Sequence, residues 1–422
     1  MAGPERYPKA QASDAPTLPS KDPFYTPEAA DWADRELGEV LDSRQVNIDI
    51  SAIPAIGEYE AFQLLYVTSD LNKEKTTSVT TIVVPQGANM SRILSYQIAY
   101  DAPDVNCSPS YGLQPGANAA ATPFTRDQMN LIAGILEDDG PPPVLNMADY
   151  EGSNAPFTVG PQSAYQTLDS IRAATDSGNI TGIDPAAETV LFGYSGGGYA
   201  SEWAVELHQT YQENPVNIIG AAIGGPPTNI IQTYKNVNTK YSPLNVWAML
   251  GVMNAIPEIN KTMDEDLRQA HKTQFLSRRQ RCSEVELPPM KTYANINWWF
   301  KHGNSFLTTF ERELTEIGVL GNHITAETAP KFPLYIFQGG IDFVTAPYSD
   351  TVALKDKFCE AGTPVTMYKW KLRDHIPTSI CGSPWAMQWI RKVFNRQELE
   401  DSCNGPINEV PLSLSGKCPP PV

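Results

Sequence analysis

"GYSGGGYA", residues 193–200, sets one serine among four glycines. Glycine weakens helices and strands alike, so four of them around one serine mark a backbone that turns sharply and lets other chain come close. The flanks give the context. "ETVLFGY" (188–194) is a short apolar run of the kind a buried strand carries. "YASEWAVELHQTY" (199–211) puts Ala200, Trp203, Ala204, Leu207 and Tyr211 on one stripe of a helix. Gly193-Tyr194-Ser195-Gly196-Gly197 therefore fits G-x-S-x-G in a strand–turn–helix setting. In such an elbow the serine takes a strained conformation, and side chains two residues to either side would collide with the neighbouring strand and helix. The N-terminus of the following helix presents free N–H groups and a positive dipole end, and the Gly196 N–H is placed to stabilise an oxyanion. A nucleotide-binding turn would instead want G-x-G-x-x-G early in the chain with an acidic residue downstream, which is not found.

Working outward, "FQLLYVTSD" (62–70), "TTIVVPQG" (80–87), "RILSYQIAYD" (92–101), "VNIIGAAIGG" (216–225), "FPLYIFQGG" (332–340) and "VTMYKWKL" (365–372) read as further strands. "QSAYQTLDSIRAA" (162–174), "YSDTVALKDKFCEAG" (348–362) and "PWAMQWIRKVF" (384–394) read as helices. Alternating buried strands and amphipathic helices predict an α/β layer fold with a largely parallel central sheet. Between about 226 and 310 the character changes to helical apolar stretches such as "PLNVWAMLGVMNAI". The expected organisation is a core in two parts, 1–225 and 311–422, with an inserted helical cap at 226–310. Residues 1 to about 25, rich in Pro, Ser, Ala and Asp, read as an irregular arm.

At 422 residues the chain is long enough for one large domain with an insertion. With 41% apolar residues and no apolar run long enough to cross a bilayer, it reads as a soluble protein without a transmembrane segment. A formal charge of −17 repels phosphate backbones and anionic membranes, which argues against nucleic acid as a partner. The six cysteines form no CxxC and the five histidines do not cluster with them, so no metal site is expected. The even cysteine count permits disulfides, and sequons at Asn89, Asn106, Asn179 and Asn260 tilt the expectation towards a secreted glycoprotein. The first residues, "MAGPERYPKAQASDAP", lack an apolar h-region, so secretion requires a signal peptide outside this sequence.

A serine nucleophile needs a base, and the base an orienting acid. His208 lies on the helix leaving the elbow, His271 and His302 in the inserted region, and His323 ahead of a late strand. His375, in "KLRDHIPTSICG", directly follows a late strand, where α/β sheets assemble their sites. Asp342, just past "YIFQGG", is the candidate acid. Asp374 is its rival, although adjacent side chains rarely orient each other in this way.

With these residues in view, the chain resembles the fungal secretory lipase family of the α/β-hydrolase superfamily. The motifs that carry the resemblance are "DPFYTP" (22–27), "SYQIAYDAPDVNCSPSYG" (95–112), "DYEGSNAPF" (149–157), "GAAIGGPPT" (220–228), "KFPLYIFQGGIDFVTAPY" (331–348) and "DHIPTSICG" (374–382). The resemblance implies Ser195 as nucleophile, Asp342 as acid and His375 as base. It adds the backbone N–H of Asp101 beside that of Gly196 as oxyanion donors; by itself Asp101 reads as a turn residue. It implies the disulfides Cys107–Cys282 and Cys359–Cys403, leaving Cys381 and Cys418 free to pair. It assigns 226–310 to a cap that shapes an acyl pocket.

The expected activity is hydrolysis of carboxylic esters by a probe-sensitive serine enzyme, with no cofactor and no metal, on a small-molecule ester or lipid partner, by a monomer. Two departures stand out: Ile223 replaces a frequent family histidine, and the chain stops soon after Cys403 without the family's long flap. An entrance without that flap would suit bulkier or more polar esters. Three alternatives remain open: a trichothecene C-3 esterase-like deacetylation of a fungal secondary metabolite, an acyltransferase using the same triad, and a non-catalytic binding protein on the same fold.

Overall fold

Leu191 and Phe192 are adjacent in sequence, and both are fully buried. Successive strand side chains point to opposite faces, so a strand buried at both must be covered on both sides. Leu191 packs with Leu168, Trp203, Ile336 and Phe358 on one face. Phe192 packs with Tyr96, Tyr194, Phe337, Trp389 and Val393 on the other. Each such large side chain removed from water contributes about 1.5–3 kcal/mol, and this double covering is what holds the central strands in place. The computed structural model describes residues 15–49, 56–118, 123–137, 140–211, 215–238, 241–282, 295–345, 347–411 and 417–420.

Among these residues the strands form one sheet of ten: β1 (Val40–Gln45), β2 (Tyr59–Ser69), β3 (Lys75–Pro85), β4 (Asn89–Gln97), β5 (Pro143–Ala148), β6 (Glu188–Tyr194), β7 (Ile218–Gly224), β8 (Leu334–Gly339), β9 (Val365–Trp370) and β10 (Asn408–Val410), in the order β1-β2-β3-β5-β4-β6-β7-β8-β9-β10. β1, β2, β3 and β5 pair antiparallel in succession, and every pairing from β5 to β10 is parallel. The sheet is mostly parallel, as the buried runs imply. β1, β5 and β10 are additions to the strands expected from sequence.

Among the described residues the helices of eight residues or more are α1 (Gly160–Asp176), α2 (Gly196–Leu207), α3 (Ile230–Val237), α4 (Ser242–Ala255), α5 (Pro257–Asp266), α6 (Gln269–Leu276), α7 (Glu311–Gly318), α8 (Tyr348–Glu360) and α9 (His375–Phe394). α1, α2 and α8 contribute to the Leu191 face, and α9 to the Phe192 face. α9 begins nine residues before the expected start at 384 and runs through Pro384. His375 is consequently the first residue of a helix rather than part of a loop.

α3 to α7 lie between β7 and β8 and share a separate core that includes Val246, Leu250, Met253, Phe275 and Phe300. The helices continue to Gly318, past the expected limit of 310. At the base of this insertion Asn229 pairs antiparallel with Val319, and Leu320 N–H donates to the Thr228 carbonyl. Cys107–Cys282 ties the inserted region to the segment after β4, Cys359–Cys403 joins the end of α8 to the chain after α9, and Cys381–Cys418 joins α9 to the C-terminal tail. Of the sequon asparagines, Asn179 is exposed, while Asn89, Asn106 and Asn260 are partly buried. The Asn106 amide also donates to Asp104. No helix among the described residues is long and apolar enough to cross a membrane.

Candidate active site

Ser195 sits between the end of β6 and the start of α2 with φ 57° and ψ −123°. A non-glycine residue there is strained, and the surroundings hold it. Its N–H donates to the Gly224 carbonyl and its own carbonyl accepts from Tyr199 N–H. The glycines around it are there for close approach. A Cβ on Gly193 would lie 2.1 Å from the Gly197 carbonyl oxygen, and one on Gly197 would lie 1.8 Å from that of Gln97. Gly197→Ala is therefore expected to force the elbow off β4 and to cost about 1–3 kcal/mol. Urea unfolding reads this as a lowered midpoint, and an unchanged midpoint would contradict the packing described.

His375 arrives from the other direction, on the first turn of α9. Its Nε2 lies 2.8 Å from Ser195 Oγ and its Nδ1 2.7 Å from Asp342 Oδ2. Asp342 follows β8 by three residues, and its Oδ1 accepts the N–H groups of Val344 (2.9 Å) and Thr345 (3.1 Å). Burial works against the Asp342 carboxylate. The facing His375 charge and hydrogen bond, with the two N–H donors, outweigh burial and hold Asp342 below its usual range. Burial likewise opposes a charged His375, and Asp342, through charge and hydrogen bond, overcomes it, so His375 stands above the ordinary histidine value.

Asp374 does something else. It is the N-cap of α9, and its Oδ1 accepts from His375 N–H (2.8 Å) and from Phe343 N–H (3.0 Å). It thereby joins the loop carrying Asp342 to the helix carrying His375. A second such support is Tyr194, whose Oη donates to the His375 carbonyl at 2.6 Å. Neither role was foreseen, although an aspartate just before a helix start is a capping signal.

Asp101, beyond β4, has φ 44° and lies against Gly196: a Cβ on Gly196 would fall 2.0 Å from Asp101 Oδ1. That oxygen is buried and has no hydrogen-bond partner among the described residues. Burial pushes the Asp101 carboxyl up to about 6, with the His375 charge acting the other way. Ser195, His375, Asp342, Asp101 and Gly196 are thus gathered in one place. The other histidines are elsewhere: His208 bonds the Val216 carbonyl, His271 stacks on Trp299, His302 contacts Asp266 and His323 faces Trp203.

From Ser195 and Gly196 a pocket of about 910 Å³, including its open mouth, runs under the inserted helices. Its far walls are apolar, with Ile230, Met249, Val252, Ile259, Met263 and Leu314 among them. Exposed apolar side chains flank the acid and the base, Ile341 and Phe343 around Asp342, and Ile376 and Ile380 after His375.

A serine at a strained strand-to-helix turn, a mostly parallel sheet, and a histidine and carboxylate delivered beyond later strands define the α/β-hydrolase class. More closely, the chain belongs to the secretory lipase family, whose model matches residues 115–402. It is 32% identical over 399 residues to Lipase A of Arthroderma benhamiae, covering 93% of this chain and 83% of that protein. It is also 32% identical over 403 residues to the trichothecene C-3 esterase of Fusarium sporotrichioides, covering 92% and 86%. The closed-state structure of Candida antarctica lipase A superposes with a TM-score of 0.81 at 25% identity, covering 94% of this chain and 90% of that one. The relatives are lipases and esterases, and the family and the three disulfides fit a secreted protein.

Proposed function

We propose that the protein is a secreted serine hydrolase that cleaves carboxylic esters with an apolar acyl group through an acyl-enzyme. The observation that carries this reading is the hydrogen-bonded series Asp342–His375–Ser195, at 2.7 and 2.8 Å, at the mouth of an apolar pocket. Ser195 Oγ attacks the ester carbonyl while His375 Nε2 takes its proton. Asp342 holds the ring with Nδ1–H towards itself and stabilises the imidazolium. The N–H groups of Asp101 and Gly196 receive the oxyanion. His375 then returns the proton to the leaving alcohol. Water, activated by the same nitrogen, releases the acid and regenerates Ser195. The inserted helices serve as the acyl-side cap, and the apolar rim beside His375 suits an apolar alcohol.

A second reading is deacetylation of a bulky alcohol. It is supported by equal identity, 32%, to a lipase and to a trichothecene C-3 esterase. A panel of p-nitrophenyl acetate, butyrate and laurate beside an acetylated terpenoid separates the two. The first reading expects kcat/KM to rise with chain length. Preference for the acetylated terpenoid over every longer chain would reverse the order of the readings.

His375 acts as base only when neutral, so kcat/KM rises with pH through its pKa. That pKa is lifted, so the acid limb is expected to have its midpoint above pH ~6.5. A midpoint below that value would contradict the Asp342 pairing.

A further inference from the structure

Seven and eleven residues beyond the serine, α2 carries two glutamates that the chemistry above does not use. Glu202 and Glu206 are 0% and 1% exposed. They sit one turn apart on the same helix face. Glu206 accepts two backbone N–H groups, from Gly321 at 2.7 Å and from His323 at 2.5 Å. These belong to the chain leaving the inserted helices, immediately after Val319 and Leu320 meet the entering segment at Asn229 and Thr228. Glu202 is different. As a carboxylate it has no donor on either oxygen among the described residues, and the group within hydrogen-bonding reach is the Glu206 carboxyl.

Two carboxylates buried side by side cannot both be ionised without a large penalty. We propose that the pair holds a single proton, carried by Glu202 and donated to Glu206, and that this proton latches the returning cap segment 320–323 onto the helix that begins at Ser195. The proton sits on Glu202 because the two N–H donors favour the ionised form at Glu206. Nearer the start of α2, Tyr199 Oη donates to the Ile317 carbonyl at the end of α7, so the helix holds both the last inserted helix and the segment that follows it.

The charged and titratable surroundings are few. Lys357 of α8 donates to the Gly321 carbonyl at 3.2 Å and attracts the pair's charge. The His323 ring, against Trp203, has a buried Nε2 without a partner among the described residues. Tyr199 is itself buried and held neutral. Burial, then the Glu206 charge, push the Glu202 carboxyl well above the usual range, with Lys357 opposing. Burial also raises Glu206, against the pull of its two N–H donors.

When base removes the proton to solvent, two anions face each other and the latch loosens. The folded chain holds a proton that an unfolded glutamate gives up near about 4.3. Stability therefore falls as pH rises from there, until the folded pair has lost its proton. Glu202→Gln supplies an N–H donor to Glu206 at every pH and removes this dependence. Thermal melting of the wild type and of Glu202→Gln, from about pH 5 to about pH 9, is expected to show a gap in favour of the variant that widens by about 2 °C or more. Parallel curves would overturn the proposal.

The latch is also read without a substitution. Hydrogen exchange of wild-type peptides covering 319–323 is expected to rise with pH more steeply than the intrinsic base-catalysed rate. A rise that merely follows the intrinsic rate would overturn it. Neither measurement involves substrate, so both stand apart from the outcome of the ester assays.

Discussion

Ser195→Ala is expected to fold as the wild type does and to lose about a million-fold in kcat on p-nitrophenyl butyrate. Two features support the separation of folding from activity. The backbone of the elbow is held by the Gly224 and Tyr199 main-chain bonds, which alanine retains. What alanine gives up is the hydrogen bond between Oγ and His375 Nε2. Residual turnover above water would come from the Asp101 and Gly196 N–H groups and from binding in the pocket. A variant with wild-type melting and turnover within tenfold of wild type (a loss of about 1.4 kcal/mol or less in barrier terms) would remove Ser195 from the mechanism.

Asp342→Asn is expected to lose on the order of ten-thousand-fold in kcat. Asp342 Oδ1 is committed to the N–H groups of Val344 and Thr345. An asparagine oxygen must take that place, which turns the amide NH₂ towards His375 Nδ1. An NH₂ there demands an unprotonated Nδ1, so the ring proton moves to Nε2, and Nε2 can no longer accept from Ser195. The loop should survive, since both backbone donors keep their acceptor. Asp374→Asn is the informative contrast: Asp374 faces two N–H groups and no imidazole nitrogen. It keeps the oxygen that caps the helix and should cost at most about 1 kcal/mol of stability, through the lost negative charge at the helix N-terminus, while leaving kcat within about tenfold. Equal losses for the two variants would mean that the acid had been assigned to the wrong aspartate.

Much of this was legible in the residues alone, for definite reasons. The elbow could be read because G-x-S-x-G and its flanks answer one steric demand, the close approach of Gly193 to Gly197 and of Gly197 to Gln97. β6, β7 and β8 are buried on both faces and so carry continuous apolar runs. The strands that escaped lack that signature. β1, "VLDSRQ", is a partly exposed edge strand, β10 has three residues, and β5, "PVLNMA", starts on the last of three consecutive prolines and carries Asn146 within its apolar run. The start of α9 was misplaced because Pro384 resembles a first-turn proline, whereas the helix carries it in its interior.

Glu202 and Glu206 were invisible for another reason. An amphipathic stripe assigns charged residues to solvent, but α2 is buried along its whole length. The pocket depended on how α3 to α7 pack, which spacing along the chain does not encode.

The central claim is that Ser195 is a nucleophile activated by His375. It is tested most directly by treating the wild-type protein with a fluorophosphonate and mapping the adduct by mass spectrometry. The expected result is one phosphonyl group per chain, on the peptide containing Ser195, with labelling lost in His375→Ala. A wild-type chain that takes up no label, or takes it up at another serine, would contradict the account.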